Sequence, residues 1–162
     1  MNTKIAIIGN YAAGKTTFAN KLGKLLKIKV YHLDEIYFRK KKDNPDFDWD
    51  KYQTKLVGNN KWIIEGNFPR TWDIRVGAAD KVIFFNFPIW LSLFRYVYRK
   101  IKFKTRDGVG LKEIKKIIFF PKLRVDGDKA VIFRSNKESD DYLGRHRCNL
   151  VTFLVCFYLF FG

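Results

Sequence analysis

Short apolar runs rich in β-branched residues punctuate this chain, and between them apolar positions recur at spacings of three and four. The runs read as strands buried on both faces, and the spaced pattern reads as helices carrying one apolar stripe. The predicted strands are Lys4–Ile8, Ile28–Tyr31, Trp62–Glu65, Lys81–Phe85 and Lys129–Phe133. Predicted helices lie near 16–27, 48–58, 71–78, 88–104, 111–119 and 136–143, the last opened by the capping box Ser135-Asn-Lys-Glu138. Strands alternating with helices predict an α/β fold with a largely parallel sheet. In helix 88–104, Trp90, Phe94, Val97 and Ile101 form the stripe expected to be buried. "RKKKDNPDFD" (39–48) and "TRDGVG" (105–110) read as exposed loops, the second a candidate mobile lid. No segment repeats.

The junction of the first strand and first helix carries chemistry. Gly9-Asn10-Tyr11-Ala12-Ala13-Gly14-Lys15-Thr16 satisfies the phosphate-loop pattern of two glycines with four residues between them, then lysine and a hydroxyl residue. Glycines let the backbone curl so that successive N–H groups point into one concavity, and the helix that starts there adds its positive dipole end. Lys15 would neutralise the β- and γ-phosphates of a nucleoside triphosphate, and the Thr16 hydroxyl would hold Mg²⁺, a hard cation that takes oxygen ligands. Tyr11 is bulky for such a loop, but only its backbone amide is needed there.

Two carboxylates stand at predicted strand ends, where open α/β sheets bind ligands: Asp34 after "KVYHL" and Glu65 closing "WIIE". They could accept the acceptor's proton or orient the metal's waters; otherwise Asp34 is a helix N-cap and Glu65 an exposed terminus. His32 reads as a hydrogen-bonded structural residue. On helix 88–104, Arg95, Arg99 and Lys102 recur along one side, and residues 89–124 hold eleven Lys/Arg against two acids. Such arginines stabilise charge on a transferring phosphoryl group; the rival readings are a solvated face and a nucleic-acid groove with interleaved aromatics.

Composition narrows this moderately. The 162 residues suit one domain with a proper core, and 32 Lys plus Arg against 16 Asp plus Glu give a net charge of +16. That charge predicts attraction to phosphates, whether on nucleotides, nucleic acid or anionic lipid. Cys148 and Cys156 make no zinc-like cluster, and the start of the chain does not read as a signal peptide; a cytoplasmic protein with free thiols is expected.

The motifs "GNYAAGKTT", "VYHLDEIYF", "WIIEGNFPRTWDIR", "AADKVIFFNFP" and "RYVYRKIKFKTRD", in that order, resemble the adenylate-kinase-like P-loop kinases, and among them the DNA topology modulation (FlaR-related) group. The resemblance covers roughly 3–144. It implies a three-layer P-loop fold with a five-stranded parallel sheet, a domain over 1–144 with a small helical lid near 95–124, and ATP and Mg²⁺ as cofactors. It would place Gly9 to Thr17 on the phosphates, Asp34 and Glu65 facing the acceptor or metal, Arg70 and Arg75 near the acceptor, and Arg95 and Arg99 over the transferred group. Asn86 and Ile89 depart from the group's pattern, which has an acid and an arginine there; the loss of the acid would weaken metal handling.

The reading is an ATP-dependent phosphotransferase for a small molecule. A nucleoside monophosphate, bound through Arg39, Arg70 and Arg75, and a neutral hydroxylated metabolite, activated by Asp34, both stay open as acceptors. The alternative is an ATP-binding regulator associated with DNA through its basic surface. "CNLVTFLVCFYLFFG" (148–162) breaks with the composition before it. Its twelve-residue apolar stretch, Leu150 to Phe161, is shorter than the ~20 residues of a spanning helix. Residues 145–162 read as a buried last element, a membrane- or partner-binding segment, or the product of a shifted coding frame.

Overall fold

The computed structural model describes residues 3–102, 114–115 and 129–145. Five strands, β1 (Thr3–Gly9), β2 (Val30–His32), β3 (Lys61–Glu65), β4 (Lys81–Phe85) and β5 (Ala130–Phe133), form one sheet in the order β2-β3-β1-β4-β5. All four pairings are parallel, with Ile7 of β1 in register with Glu65 on one side and Ile83 on the other. Parallel neighbours need crossovers, and helices supply them: α1 (Lys15–Leu26), α2 (Leu33–Asp43), α3 (Trp49–Val57), α4 (Trp72–Ala78) and α5 (Ile89–Lys102). A sixth helix, α6, runs through 136–145. The predicted helix 111–119, loop 105–110 and tail lie outside the described residues, apart from helical positions 114 and 115 and residue 145 at the end of α6.

Side chains alternate across each strand, and both sets are apolar. Ile5, Ile7, Ile63, Ile83 and Phe85 pack with Phe18 and Leu22 of α1 and Leu143 of α6. Ala6, Ile8, Trp62, Ile64 and Val82 pack with Leu33 and Ile36 of α2, Trp49 and Leu56 of α3, and Trp72 of α4. The result is a three-layer sandwich. Phe18 ties the first layer, its ring centroid 5.3 Å from both Phe85 and Phe133 in edge-on contact. Among the described residues no helix is long and apolar enough to cross a membrane.

Two expectations fail. Residues 39–43 are not loop but the end of α2, whose first turn carries Asp34 and Glu35 and whose last carries Lys40, Lys41 and Lys42. The lysine run that suggested a loop sits where the helix dipole favours cations, and Asn44 before Pro45 ends the helix. On α5 the expected stripe is turned outward: Trp90 and Ile101 are each 70% exposed and Phe94 64%. Ser92 and Tyr96 face the protein instead. Periodicity identifies positions that share a stripe but not which stripe meets the sheet.

The close approach of β1 to β4 fixes Gly9. Its φ is +144°, and a Cβ there would lie 2.4 Å from the Phe85 carbonyl oxygen. Gly9→Ala is expected to lower the unfolding free energy by about 3 kcal/mol or more, through overlap and a disfavoured φ together. Urea unfolding followed by circular dichroism checks this.

Candidate active site

Three elements pin the loop between β1 and α1. The Asn10 backbone N–H donates to the Phe85 carbonyl at 2.9 Å, and its side-chain amide to the Phe87 carbonyl at 2.5 Å. From the β3 side, Asn67 Oδ1 accepts from the Gly9 N–H at 3.4 Å. Ala12 and Gly14 both take left-handed backbone conformations, at φ 57° and 87°. Local reversals of this kind turn consecutive N–H groups toward a common centre. No side chain caps α1 and no acid occupies its first turn. The helix's positive end therefore faces that same concavity, a ready anion site.

Lys15 is only 8% exposed and donates from Nζ to the Asn10 carbonyl at 2.7 Å. Burial pulls its pKa down to about 8, against the opposing fields of Glu65 and Asp34 and with a smaller push from Arg99. Beside it lies Glu65, 5% exposed at the end of β3. Its Oε2 accepts from Thr16 Oγ1 at 3.3 Å and stands 3.1 Å from His32 Nδ1. His32 Nε2 contacts Asn20 Oδ1 at 3.0 Å, so the histidine is hydrogen-bonded at both nitrogens, bracing the carboxylate.

The Thr16 and Glu65 oxygens suit a magnesium ion. Adjacent ligands of an octahedron with ~2.1 Å bonds stand about 3 Å apart, close to the separation seen here. Mg²⁺ typically takes few protein ligands and keeps waters, and among the described residues no cluster of three acidic, His or Cys side chains offers a denser cage.

Ala12 to Thr17 form the floor of a 210 Å³ cradle that Arg95 and Arg99 of α5 close from above. A neighbouring cleft of 350 Å³ continues from the cradle past Thr17, Lys21 and Arg95 to Asn136, Ser139 and Asp140 of α6. The Arg95 guanidinium lies 5.3 Å from the Phe87 ring centre and 3.5 Å from Asn136 Oδ1, bridging the two spaces. Asn136, Ser139 and Asp140 were not anticipated as site residues; the capping box placed their helix but not its packing against α1.

The other expected residues separate. Asp34, in the first turn of α2, is exposed and acts electrostatically on both Lys15 and Arg75. Arg75, expected near the acceptor, is wholly buried. It donates to Gln53 Oε1 at 2.6 Å, to Thr71 Oγ1 at 3.3 Å, and to the Gly66 and Asn67 carbonyls at 3.2 and 2.6 Å. Those bonds hold the turn after Glu65. Burial lowers its pKa to about 10. Arg70 is exposed and paired with Asp50 at 2.8 Å. Arg39 opens onto a different cleft, at the edge of the sheet. Asn86 follows β4 with its N–H on the Phe133 carbonyl at 2.8 Å, its side chain exposed.

No family model matches the chain, and no curated protein sequence matches it. Solved structures do. A gluconokinase from Sinorhizobium meliloti superposes with a TM-score of 0.59 at 11% identity, covering 93% of this chain and 97% of that one. A shikimate kinase from Bacteroides thetaiotaomicron gives 0.56 at 16%, covering 93% and 99%. A sugar kinase from a Janibacter species gives 0.58 at 11%, covering 90% and 92%. The chain shares the three-layer α/β fold of these proteins. Likeness at such identities carries architecture alone, so what the site does must be argued from its residues.

A phosphate seated in the cradle requires Lys15 as ammonium. Below pH 8 the ammonium is already present and affinity should be level; above it, each pH unit should weaken binding by up to ~10-fold, because binding must first recruit a proton. Calorimetric titration of ATP from about pH 6.5 to 9.5 measures this, and a level profile would remove Lys15 from the contact.

Proposed function

We propose that the protein is an ATP-dependent phosphotransferase acting on a small hydroxylated molecule. One observation carries this reading: a phosphate-sized cradle of loop amides and Lys15 is closed by two arginines and flanked by a Thr16–Glu65 oxygen pair. A static anion site would not need the arginine roof or the metal pair. Phosphoryl transfer makes use of both.

The residues divide the work. Backbone amides of 9–17 and Lys15 hold the β- and γ-phosphates, and the 350 Å³ cleft toward α6 has room for the nucleoside. Thr16 and Glu65 would hold Mg²⁺, which would supply neutralisation of the phosphate charge. Asp34 accepts the acceptor's hydroxyl proton as that oxygen bonds to the γ-phosphorus and the bond to the ADP oxygen breaks. Arg95 and Arg99 stabilise the charge spread over the transferred group.

The acceptor side favours a neutral hydroxyl over a nucleoside monophosphate. Arg75 spends its guanidinium on buried carbonyl and side-chain oxygens, and Arg70 is engaged by Asp50. Neither of these two is left to grip a second phosphate, and Arg39, the third expected, lines a separate cleft at the sheet edge. The sugar kinase, gluconokinase and shikimate kinase among the structural neighbours support the same choice by their names. The narrower resemblance to the topology modulation group rests on the sequence motifs alone.

The test is ADP release from Mg·ATP with a panel of polyols, sugar acids, nucleosides and nucleoside monophosphates, and one arm of duplex DNA. Wild type should respond to one small acceptor. Lys15→Ala should remain folded and lose ~10³-fold or more in turnover, and Arg99→Ala ~10²-fold, the scale of removing a preorganised charge from a transition state. Stimulation by DNA alone would replace this reading with that of a regulator.

A further inference from the structure

The outer side of the edge strand β2 opens onto a cleft of 420 Å³ that shares no lining residue with the phosphate cradle. Lys29 reaches it from the residue just before the strand, Glu35 and Arg39 from α2, and Tyr52 from α3, with Tyr31 and His32 on the strand itself. Lys29 Nζ stands 5.1 Å from the centre of the Tyr31 ring. Neither Lys29 nor Arg39 takes part in an ion pair among the described residues. Burial raises the Tyr52 pKa, helped by Tyr31 and opposed by Arg39, so the two phenols and the guanidinium sense one another across the cleft.

Cations beside an open strand edge have a simpler use, which is to repel another strand. Guard residues point into solvent and need no shared cavity. Here two cations from different elements converge on one concave space, with two phenol rings as walls and Val30 and Ile36 as apolar lining. Glu35 at the same cleft opposes a highly charged guest. The chemistry selects a compact body with a single anionic group.

We propose that this cleft is a second ligand site, for a small organic anion with a ring or compact apolar body bearing one carboxylate or phosphate. Lys29 and Arg39 hold the anionic group, and Tyr31 and Tyr52 flank the body. The occupant also lies against His32, whose Nδ1 is 3.1 Å from Glu65 Oε2. Occupancy therefore bears on the carboxylate beside Thr16, and linkage makes the effect on Mg·ATP affinity mutual. That consequence rests on the phosphotransferase reading; the site itself does not.

Amide NMR titration of the full chain, with excess Mg·ADP present, tests the site using benzoate, phenyl phosphate and inorganic phosphate as probes. Expected are shifts at 30–32, 39 and 52 with benzoate or phenyl phosphate, whichever anionic group the cleft prefers, and weaker binding of inorganic phosphate. The exposed double variant Lys29→Ala/Arg39→Ala should bind the ring-bearing probe at least ~10-fold more weakly, as expected for losing hydrogen bonds to a charged group. Shifts confined to residues 9–17, or equal affinity in the double variant, would overturn the proposal. So would a double variant that self-associates in sedimentation while the wild type shows no probe-induced shift, since that is the behaviour of guard residues alone.

Discussion

A buried ammonium organises this protein. Lys15 lies beneath the phosphate loop with one carbonyl acceptor at 2.7 Å, and burial has already shifted its proton affinity downward. Two carboxylates soften the cost and one arginine adds to it. An ammonium so placed is under-compensated until an anion arrives, and the loop's inward amides and the uncapped start of α1 are aimed at that anion. The free site is electrostatically incomplete, and the proposed phosphate chain would complete it.

The sheet makes that arrangement possible. β1 is central, with β2 and β3 on one side and β4 and β5 on the other, so the loop at its end has neighbours from both directions. β3 brings Glu65 and Asn67; β4 brings the Phe85 carbonyl that fixes Asn10. The β1–β4 contact leaves no room for a side chain at Gly9. A ligand at such a reversal of strand order meets groups whose positions are set by the core rather than by the loop.

What was legible in the sequence were the features whose physics is local. Strand runs, the glycines of the loop, the Lys15-Thr16 pair and the capping box of α6 depend on near neighbours. In α6, Glu138 N–H donates to Ser135 Oγ at 3.3 Å, though the Glu138 carboxylate takes the Arg134 N–H rather than that of Ser135. Misread features depend on tertiary packing. The charge run at 39–43 hid a helix end, and two stripes competed on α5 with only the fold to choose between them. Arg75 is the clearest case, since no local pattern says that an arginine will be sealed against Gln53 and two backbone carbonyls.

That sealed arginine shapes the chemistry more than an exposed one could. Its donors fix the Gly66 and Asn67 carbonyls, Asn67 in turn binds the Gly9 amide, and Trp72 Nε1 also donates to the Asn67 carbonyl. The turn after β3 is thereby rigid on the flank where Glu65 meets Thr16. Burial lowers the Arg75 pKa, and the fields of Asp34 and Glu65 oppose that shift, so the guanidinium sits within reach of both carboxylates. Bonded inside the wall, Arg75 spends its donors on the turn after β3, and in the proposed reaction the acceptor would be left to Asp34 and to the shape of the site.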